Sequence, residues 1–244
     1  MTRRRWIADE VHQNHAALTG EHAAHLSRVL RAQVGQEFDI ATGTAVRLGT
    51  ITSISPDRVE FALGNEVIVQ PAADLTLVIA IFKFDRMEWA LEKCTELGVA
   101  RIIPVIARRT DAHLAAAAAK RHDRWLRIAR QAAEQSRRPA PPEIATAIKL
   151  KDLDIVSLIP AAPSSAKANR VVLAESELST QLRDALDSET PEATLAVGPE
   201  GGWADDELLW FRDSGWTTAS LGNTILRAET AAIVAATIAL DALR

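Results

Sequence analysis

Residues Leu75 to Phe82 read Leu-Thr-Leu-Val-Ile-Ala-Ile-Phe, a continuous apolar run of strand length. A strand with no polar face has to be covered on both sides, which is the situation of a parallel sheet flanked by helices. The sequence that follows keeps to this rhythm. Asp85 stands three residues before Glu88, a spacing that predicts a capping box. Met87, Ala90, Leu91, Cys94 and Leu97 then recur at helical intervals until Gly98, which predicts the helix end. Arg101 to Ala107 reads as the next strand, with Pro104 pointing to a strand end or edge. His113 to Gln135 predicts one long helix, favoured by the five alanines at 115–119. Asn169 to Ala174 and Ala193 to Val197 are further apolar strands, and Thr217 to Leu221 a last short one. Asp205, Asp206 and Glu207 place acids where the first turn of a helix favours them, and Glu229 to Leu243 predicts the final helix. The alternation defines an α/β fold with a mostly parallel sheet. Such open sheets bind ligands at the carboxyl ends of their strands.

Before residue 71 the pattern is different. Glu37–Ala41, Ala45–Ile54 and Arg58–Leu63 are short, rich in Val, Ile and Thr, and punctuated by Gly43, Gly49, Pro56–Asp57 and Gly64–Asn65. That predicts a small antiparallel barrel or sandwich, with one helix over Glu21–Arg31. Pro71-Ala-Ala-Asp74 reads as a linker, so the expected domains are 1–71 and 74–244. The formal net charge of -4 gives no global basic signature, so an RNA ligand needs a local patch. Arg3, Arg4 and Arg5 offer one, or else a solvated terminus. A lone cysteine, Cys94, excludes an intramolecular disulfide framework and fits a reducing cytoplasm. No segment reads as a signal peptide or a membrane span; the most apolar stretch, Ile225 to Leu243, is broken by Arg227, Glu229 and Asp241.

Two glycine-bearing loops stand at strand ends. Gly198-Pro-Glu-Gly-Gly202 directly follows Thr194–Val197, and Ser220-Leu-Gly-Asn-Thr-Ile-Leu-Arg-Ala-Glu-Thr230 leads into the last helix. Glycine lets a backbone approach a ligand closely and adopt conformations barred to other residues. Neither loop is a G-x-G-x-x-G dinucleotide turn or a G-K-[ST] phosphate cradle. Taken alone, Gly198–Gly202 reads equally as a tight structural turn. His12, His15, His22 and His25 give H-x2-H spacing twice, but no cysteine or carboxylate cluster supports them, and no metal is expected. Cys94 lies on the apolar face of its helix and reads as core.

These loops, taken with other segments, resemble the RsmE family of SPOUT-class RNA methyltransferases. The segments are Gly198-Pro-Glu-Gly-Gly202, Ser220-Leu-Gly-x-x-Ile-Leu-Arg-x-Glu-Thr-Ala231, Glu92-Lys-Cys-Thr-Glu-Leu-Gly98, Ala132-Ala-Glu-Gln-Ser136 with Arg138 and Pro142, and His25-Leu-Ser-Arg-Val-Leu-Arg31 with Gly35. The resemblance implies a PUA-like N-terminal barrel over 1–71 that binds RNA. It also implies a SPOUT domain over 74–244 whose C-terminal part forms a trefoil knot. It implies S-adenosylmethionine as cofactor, N3 of a uracil in 16S ribosomal RNA of the 30S subunit as target, and a homodimer in the cytoplasm. Gly198, Pro199, Glu200, Gly201 and Gly202 would line the cofactor pocket. Leu221, Gly222, Ile225, Leu226 and Arg227 would form its other wall, with Leu173 and Ala174 as adenosyl contacts. The chain departs from the family pattern at Gln36, Arg137, Thr224 and Ala228, where aspartate, glycine, a basic residue and threonine are common.

The chemistry the resemblance implies can be bounded. A sulfonium methyl is already a strong electrophile, so the protein's task is to align donor and acceptor. Uracil N3 carries a proton at neutral pH that must pass to a base or to water. Glu200 and Glu229 are the candidate carboxylates, and Arg227 could stabilise charge developing on the uracil oxygens. Glu229 could instead cap the last helix, and Arg227 could be a structural ion-pair partner. RNA contact would fall to Arg3, Arg5, Arg28 and Arg31 in the small domain, with Lys83 and Arg138 near the active site. The target base must leave any pairing. Trp6 could stack on RNA or fill the barrel core. The alternatives are another SPOUT enzyme acting on tRNA or a ribose hydroxyl, and a non-catalytic RNA-binding protein of the same fold.

Overall fold

A computed structural model describes residues 4–69, 73–153 and 169–243. The chain divides into two compact units, one of Met1–Pro71 with Ala133–Pro141 and one of Ala72–Ala132 with Pro142–Arg244. The return of a mid-chain segment to the first unit has no counterpart in the sequence pattern.

The first unit holds strands β1 (Arg5–Ile7), β2 (Glu10–His12), β3 (His15–Thr19), β4 (Glu37–Ala41), β5 (Val46–Ile54) and β6 (Arg58–Glu66). They form one sheet in the order β1-β4-β5-β6-β3-β2. Neighbours are antiparallel except β1 and β4, which pair in parallel with Trp6 opposite Ile40. The apolar alternation of these strands turns Leu18, Ile40, Ile51, Val59 and Phe61 into a core shared with Trp6 and Leu26. Trp6 is therefore a core residue, with the His25 ring edge-on to it at 5.8 Å. The expected helix over Glu21–Arg31 has two parts: α1 (Gly20–Ala24) runs directly into a π-helical turn at His25–Val29. Ser27 Oγ donates to the Ala23 carbonyl at 2.7 Å, which takes up the acceptor of the ordinary helical ladder. The amide of Leu30 then reaches five residues back to His25 O at 3.0 Å. Arg137 sits at φ 59, the left-handed region, which gives a conformational reason for the glycine common at this position in the resembling family.

The second unit is built on β7 (Asp74–Ala80), β8 (Arg101–Ile106), β9 (Glu143–Ile144), β10 (Ile148–Lys149), β11 (Asn169–Leu173), β12 (Glu192–Val197) and β13 (Thr217–Ala219). All pair in parallel, in the order β10-β8-β7-β12-β11-β13, with β9 also on β8. Pro104 is interior to β8, opposite Ile79, and not at its end. It is tolerated because the outer neighbour is interrupted there: β9 pairs with Arg101 and Ile102, β10 with Val105 and Ile106.

Helices of this unit are α2 (Phe84–Leu97), α3 (Ala112–Ala117), α4 (His122–Gln135), α5 (Leu182–Ala185), α6 (Asp205–Asp213) and α7 (Ala228–Ala242). The last residues of α4, from Ala133, belong to the first unit. The expected long helix is thus two helices joined by a tighter 3-10 turn at Ala118–Arg121, because alanine favours helix but does not decide its pitch. The predicted capping box at Asp85 and Glu88 does not form: α2 begins after Lys83 with no side-chain cap. Glu88 instead takes two 2.7 Å bonds from the Arg124 guanidinium of α4, a fork geometry that outweighs a local backbone bond. Gly98, at φ 114, ends α2 as expected, its amide reaching Thr95 O at 3.1 Å.

Helix α7 presents Ala228, Ala232, Ala235, Ala236 and Ala239 to the core around Leu75, Leu77, Val171 and Leu195. On the other sheet face, Phe211 of α6 sits among Trp203, Trp210 and Trp216, each ring 5.0 Å away and tilted near edge-on. Cys94 is buried, and that burial pushes its thiol up to about 12. The expected outcome is that iodoacetamide at pH 8 leaves the native protein unmodified and alkylates it on unfolding, read by intact mass. Alkylation of the native protein would contradict the burial. No helix of the described residues is long and apolar enough to cross a membrane.

Candidate active site

Strands β11, β12 and β13 are adjacent and parallel, so their carboxyl ends open at one edge of the sheet. Each is followed by a segment that lines a cavity of about 550 Å³. Leu173 and Ala174 come from β11, the Gly198–Gly202 loop from β12, and Ser220–Arg227 from β13. Every residue expected to hold a cofactor lies on this wall: Leu173, Ala174, Gly198, Pro199, Glu200, Gly201, Gly202, Leu221, Gly222, Ile225, Leu226 and Arg227. Residues far apart in sequence thus meet because parallel pairing brings their strand ends into line.

The loop after β12 is held from beneath and from the side. Trp203 is buried, and a Cβ at Gly198 would stand 3.2 Å from its indole nitrogen, so the glycine lets the loop pack close against the ring where a side chain would push the two apart by a few tenths of an ångström. From the side, Arg109 Nη1 donates to the carbonyls of Gly201 at 2.8 Å and Trp203 at 3.1 Å. Glu207 closes the start of α6, accepting from the Ala204 amide at 2.8 Å and from the Arg108 amide at 2.8 Å. The acids at 205–207 therefore include one that caps this helix.

The loop after β13 is anchored at its root. Ser220 donates its amide to Thr180 O at 2.9 Å, and its own carbonyl accepts from Leu182 at 2.9 Å. Gly222 then takes φ 124, outside the region open to L side chains. Gly222→Ala places strain of about 1–3 kcal/mol on this turn. We expect calorimetry to show a ligand of the cavity binding at least several-fold more weakly, with the first unit unaffected; unchanged affinity would show that the loop conformation does not matter.

The charged groups are arranged around one arginine absent from the sequence expectations. Arg86, at the start of α2, lines the cavity. Its Nη1 donates to Glu200 Oε1 at 3.1 Å, and its Nε lies 3.7 Å from Glu229 Oε1. Glu229 is buried, its Oε2 has no hydrogen-bond partner among the described residues, and it does not itself line the cavity. Glu200 does, and is exposed. Arg227 is the N-cap residue of α7, exposed, and makes no ion pair among the described residues, so the reading of it as a structural partner does not hold there. Arg86 and Arg109 follow the carboxyl ends of β7 and β8, and the strand-end rule applied to those two strands would have flagged both.

The expected RNA-contacting residues are distributed unevenly. Arg28 and Arg31 are exposed on the first unit, and Lys83 is exposed on the second, outside the cavity wall. Arg5 is buried, lies 3.5 Å from Asp39 and bonds the Arg137 carbonyl, so it serves the packing of the first unit and is not presented to a ligand. Arg138 belongs to the first unit and is half-buried, where desolvation pushes its guanidinium below the usual range. Arg3 lies outside the described residues.

A loop-walled cavity at the carboxyl edge of a parallel sheet is the form of an RNA methyltransferase domain, and the family model of that description matches residues 69–240. Ribosomal RNA small subunit methyltransferase E of Rickettsia conorii is 33% identical over 89% of this chain and 86% of its own length. The corresponding enzyme of Neisseria gonorrhoeae, solved bound to S-adenosyl methionine, superposes with a TM-score of 0.80 at 26% identity, covering 97% of this chain and 95% of that one. A Legionella pneumophila protein solved with the cofactor SAM gives a TM-score of 0.82 at 28% identity over 99% and 98% of the two chains. The chain belongs to the ribosomal RNA small subunit methyltransferase E family.

Proposed function

We propose that this protein uses S-adenosylmethionine to methylate N3 of a uracil in 16S ribosomal RNA of the 30S subunit. The observation that carries the reading is the convergence of the Gly198–Gly202 and Leu221–Arg227 loops on one cavity in a chain of this family. The residues present fit the cofactor. The cavity, about 550 Å³, lies within the range of small-molecule sites. Leu173, Leu221 and Ile225 offer apolar surface for an adenine, the two loops offer main-chain donors and acceptors, and Glu200 offers negative charge to a cation. When bound, the cofactor supplies an electrophilic methyl group.

The chain's own residues do the rest. The two loops bind and orient the methyl donor, a positioning effect. Glu200, at the cavity surface, is better placed than buried Glu229 to accept the N3 proton. Arg227 faces negative charge growing on the uracil oxygens as that proton leaves. Contact with RNA falls to the exposed Arg28 and Arg31 of the first unit, joined by Lys83 of the second; Arg5 drops out of the set.

The same reading takes the first unit to be a PUA-like RNA-binding barrel and the second to be a SPOUT domain. The segments after β12 and β13 would belong to its trefoil knot. It takes the working form to be a homodimer in the cytoplasm, where the 30S subunit is found. Calorimetry with S-adenosylmethionine tests the cofactor: absence of binding at millimolar concentration would sink the enzyme reading. Undermethylated 30S subunits incubated with methyl-labelled cofactor test the target. Label at a uracil base of 16S RNA is expected; label on tRNA or on a ribose would refute the assignment.

A further inference from the structure

Two walls of the cavity are fastened independently at their roots. Arg109 holds the main chain of the loop after β12 through Gly201 and Trp203, and the Thr180–Leu182 segment holds Ser220 after β13. Neither fastening joins one wall to the other. Arg86 does: one face of its guanidinium takes Glu200 of the first wall at 3.1 Å, and its Nε faces Glu229, in the first turn of α7 that ends the second wall, at 3.7 Å. The two carboxylates are contributed by different segments, the loop after β12 and the start of α7, and converge on a third element, α2.

The charge balance makes this cation hard to replace. One guanidinium serves two carboxylates, and Glu229 is buried with its Oε2 unpartnered among the described residues. Removing the arginine leaves a buried anion without its counter-charge, which is far costlier than losing a surface pair. A lysine carries the charge but not the planar fork, so it can hold one carboxylate well but not both in the present directions.

We propose that Arg86 is a positioning residue that locks the two cofactor-binding walls into one relative arrangement. This rests on the methyltransferase reading for what the walls hold, but the clasp itself belongs to the free protein. Arg86 lines the cavity and also holds Glu200, the proposed proton acceptor, so the clasp is read from loop order in the free protein and from cofactor affinity rather than from turnover.

The test uses the full chain. Amide hydrogen exchange is measured without ligand on wild type, Arg86→Met, Arg86→Lys and Glu200→Gln. Arg86→Met is expected to speed exchange about tenfold in peptides covering 198–203 and 227–232, with the rest of the second unit unchanged. Glu200→Gln is expected to speed it in the first of these peptides alone, and Arg86→Lys to lie between wild type and Arg86→Met. With cofactor, Arg86→Met is expected to raise the S-adenosylmethionine Kd and its KM about tenfold while the KM for RNA stays put. Unchanged exchange in both peptides, or a uniform rise across the whole unit, would overturn the proposal. Wild-type protein that fails to bind cofactor would instead sink the methyltransferase reading, and the exchange data would still decide whether Arg86 is the clasp.

Discussion

Arg227→Gln is expected to lower turnover by about 10²–10³-fold, the cost of removing one well-placed donor from a developing negative charge. The melting temperature is expected to stay where it is. Both halves follow from where the side chain sits. It is exposed on the cavity wall, it caps no backbone group, and it makes no ion pair among the described residues, so the folded state loses nothing when it is shortened. Its place at the N-terminus of α7 adds the positive end of a helix dipole to its own charge. Loss of the N3 proton throws charge onto the flanking uracil oxygens, where a planar guanidinium can meet it. Arg227→Lys keeps the charge without the fork and is expected to fall between the two. Single-turnover assays on undermethylated 30S subunits would read the effect. Turnover equal to wild type in Arg227→Gln would remove this residue from the mechanism, leaving cofactor binding untouched.

Phe211→Ala is expected to cost about 3–5 kcal/mol of stability, the range for deleting a fully buried aromatic ring. Phe211 has no solvent exposure and stands at the centre of three tryptophans. The loss should not stop at stability. Trp203, one of the three, is the floor on which Gly198 lies, so a void behind its indole loosens the loop after β12. Urea unfolding followed by tryptophan fluorescence measures the first effect, and calorimetry with S-adenosylmethionine below the transition measures the second. A variant with lowered stability and undiminished affinity would show that the floor is not transmitting to the loop.

The α/β half of this architecture was legible because its signal is physical and local. Leu75–Phe82, Asn169–Ala174 and Ala193–Val197 are apolar enough to require cover on both faces, and each lies on a parallel strand. Their order in the sheet was not legible. Periodicity reports a residue's burial, not its neighbour, and nothing in the runs says that β12 inserts between β7 and β11. The capping box expected at Asp85 and Glu88 does not form for a related reason: a local pattern lost to a distant partner, Arg124, that no window of sequence contains. The loop residues of the cavity were legible through glycine and through resemblance to a family. Arg86 and Arg109 were passed over although they follow strand ends, since the strand-end rule marks a position near the site and says nothing of the partners, Glu200 and the Gly201 carbonyl, that give each arginine its role. The same limit misplaced Arg5. A basic run reads as a patch, whereas Asp39 and the Arg137 carbonyl, which take that side chain inward, are remote in sequence.

The return of Ala133–Pro141 to the first unit bears on how the chain is made. Ala133 is fully buried against Ile7, Ala41 and Val46, so a wall of the N-terminal core is supplied from the middle of the polypeptide. A ribosome delivering residues from the N-terminus exposes that apolar trio well before its cover emerges. The N-terminal unit can then reach its final packing only after β7, α2, β8 and most of α4 have been synthesised. Vectorial folding, the usual advantage of an N-terminal domain, is denied to this one. A gene fragment stopped at residue 71 would yield an incomplete body with a sticky face, while one extended through residue 141 carries the missing piece.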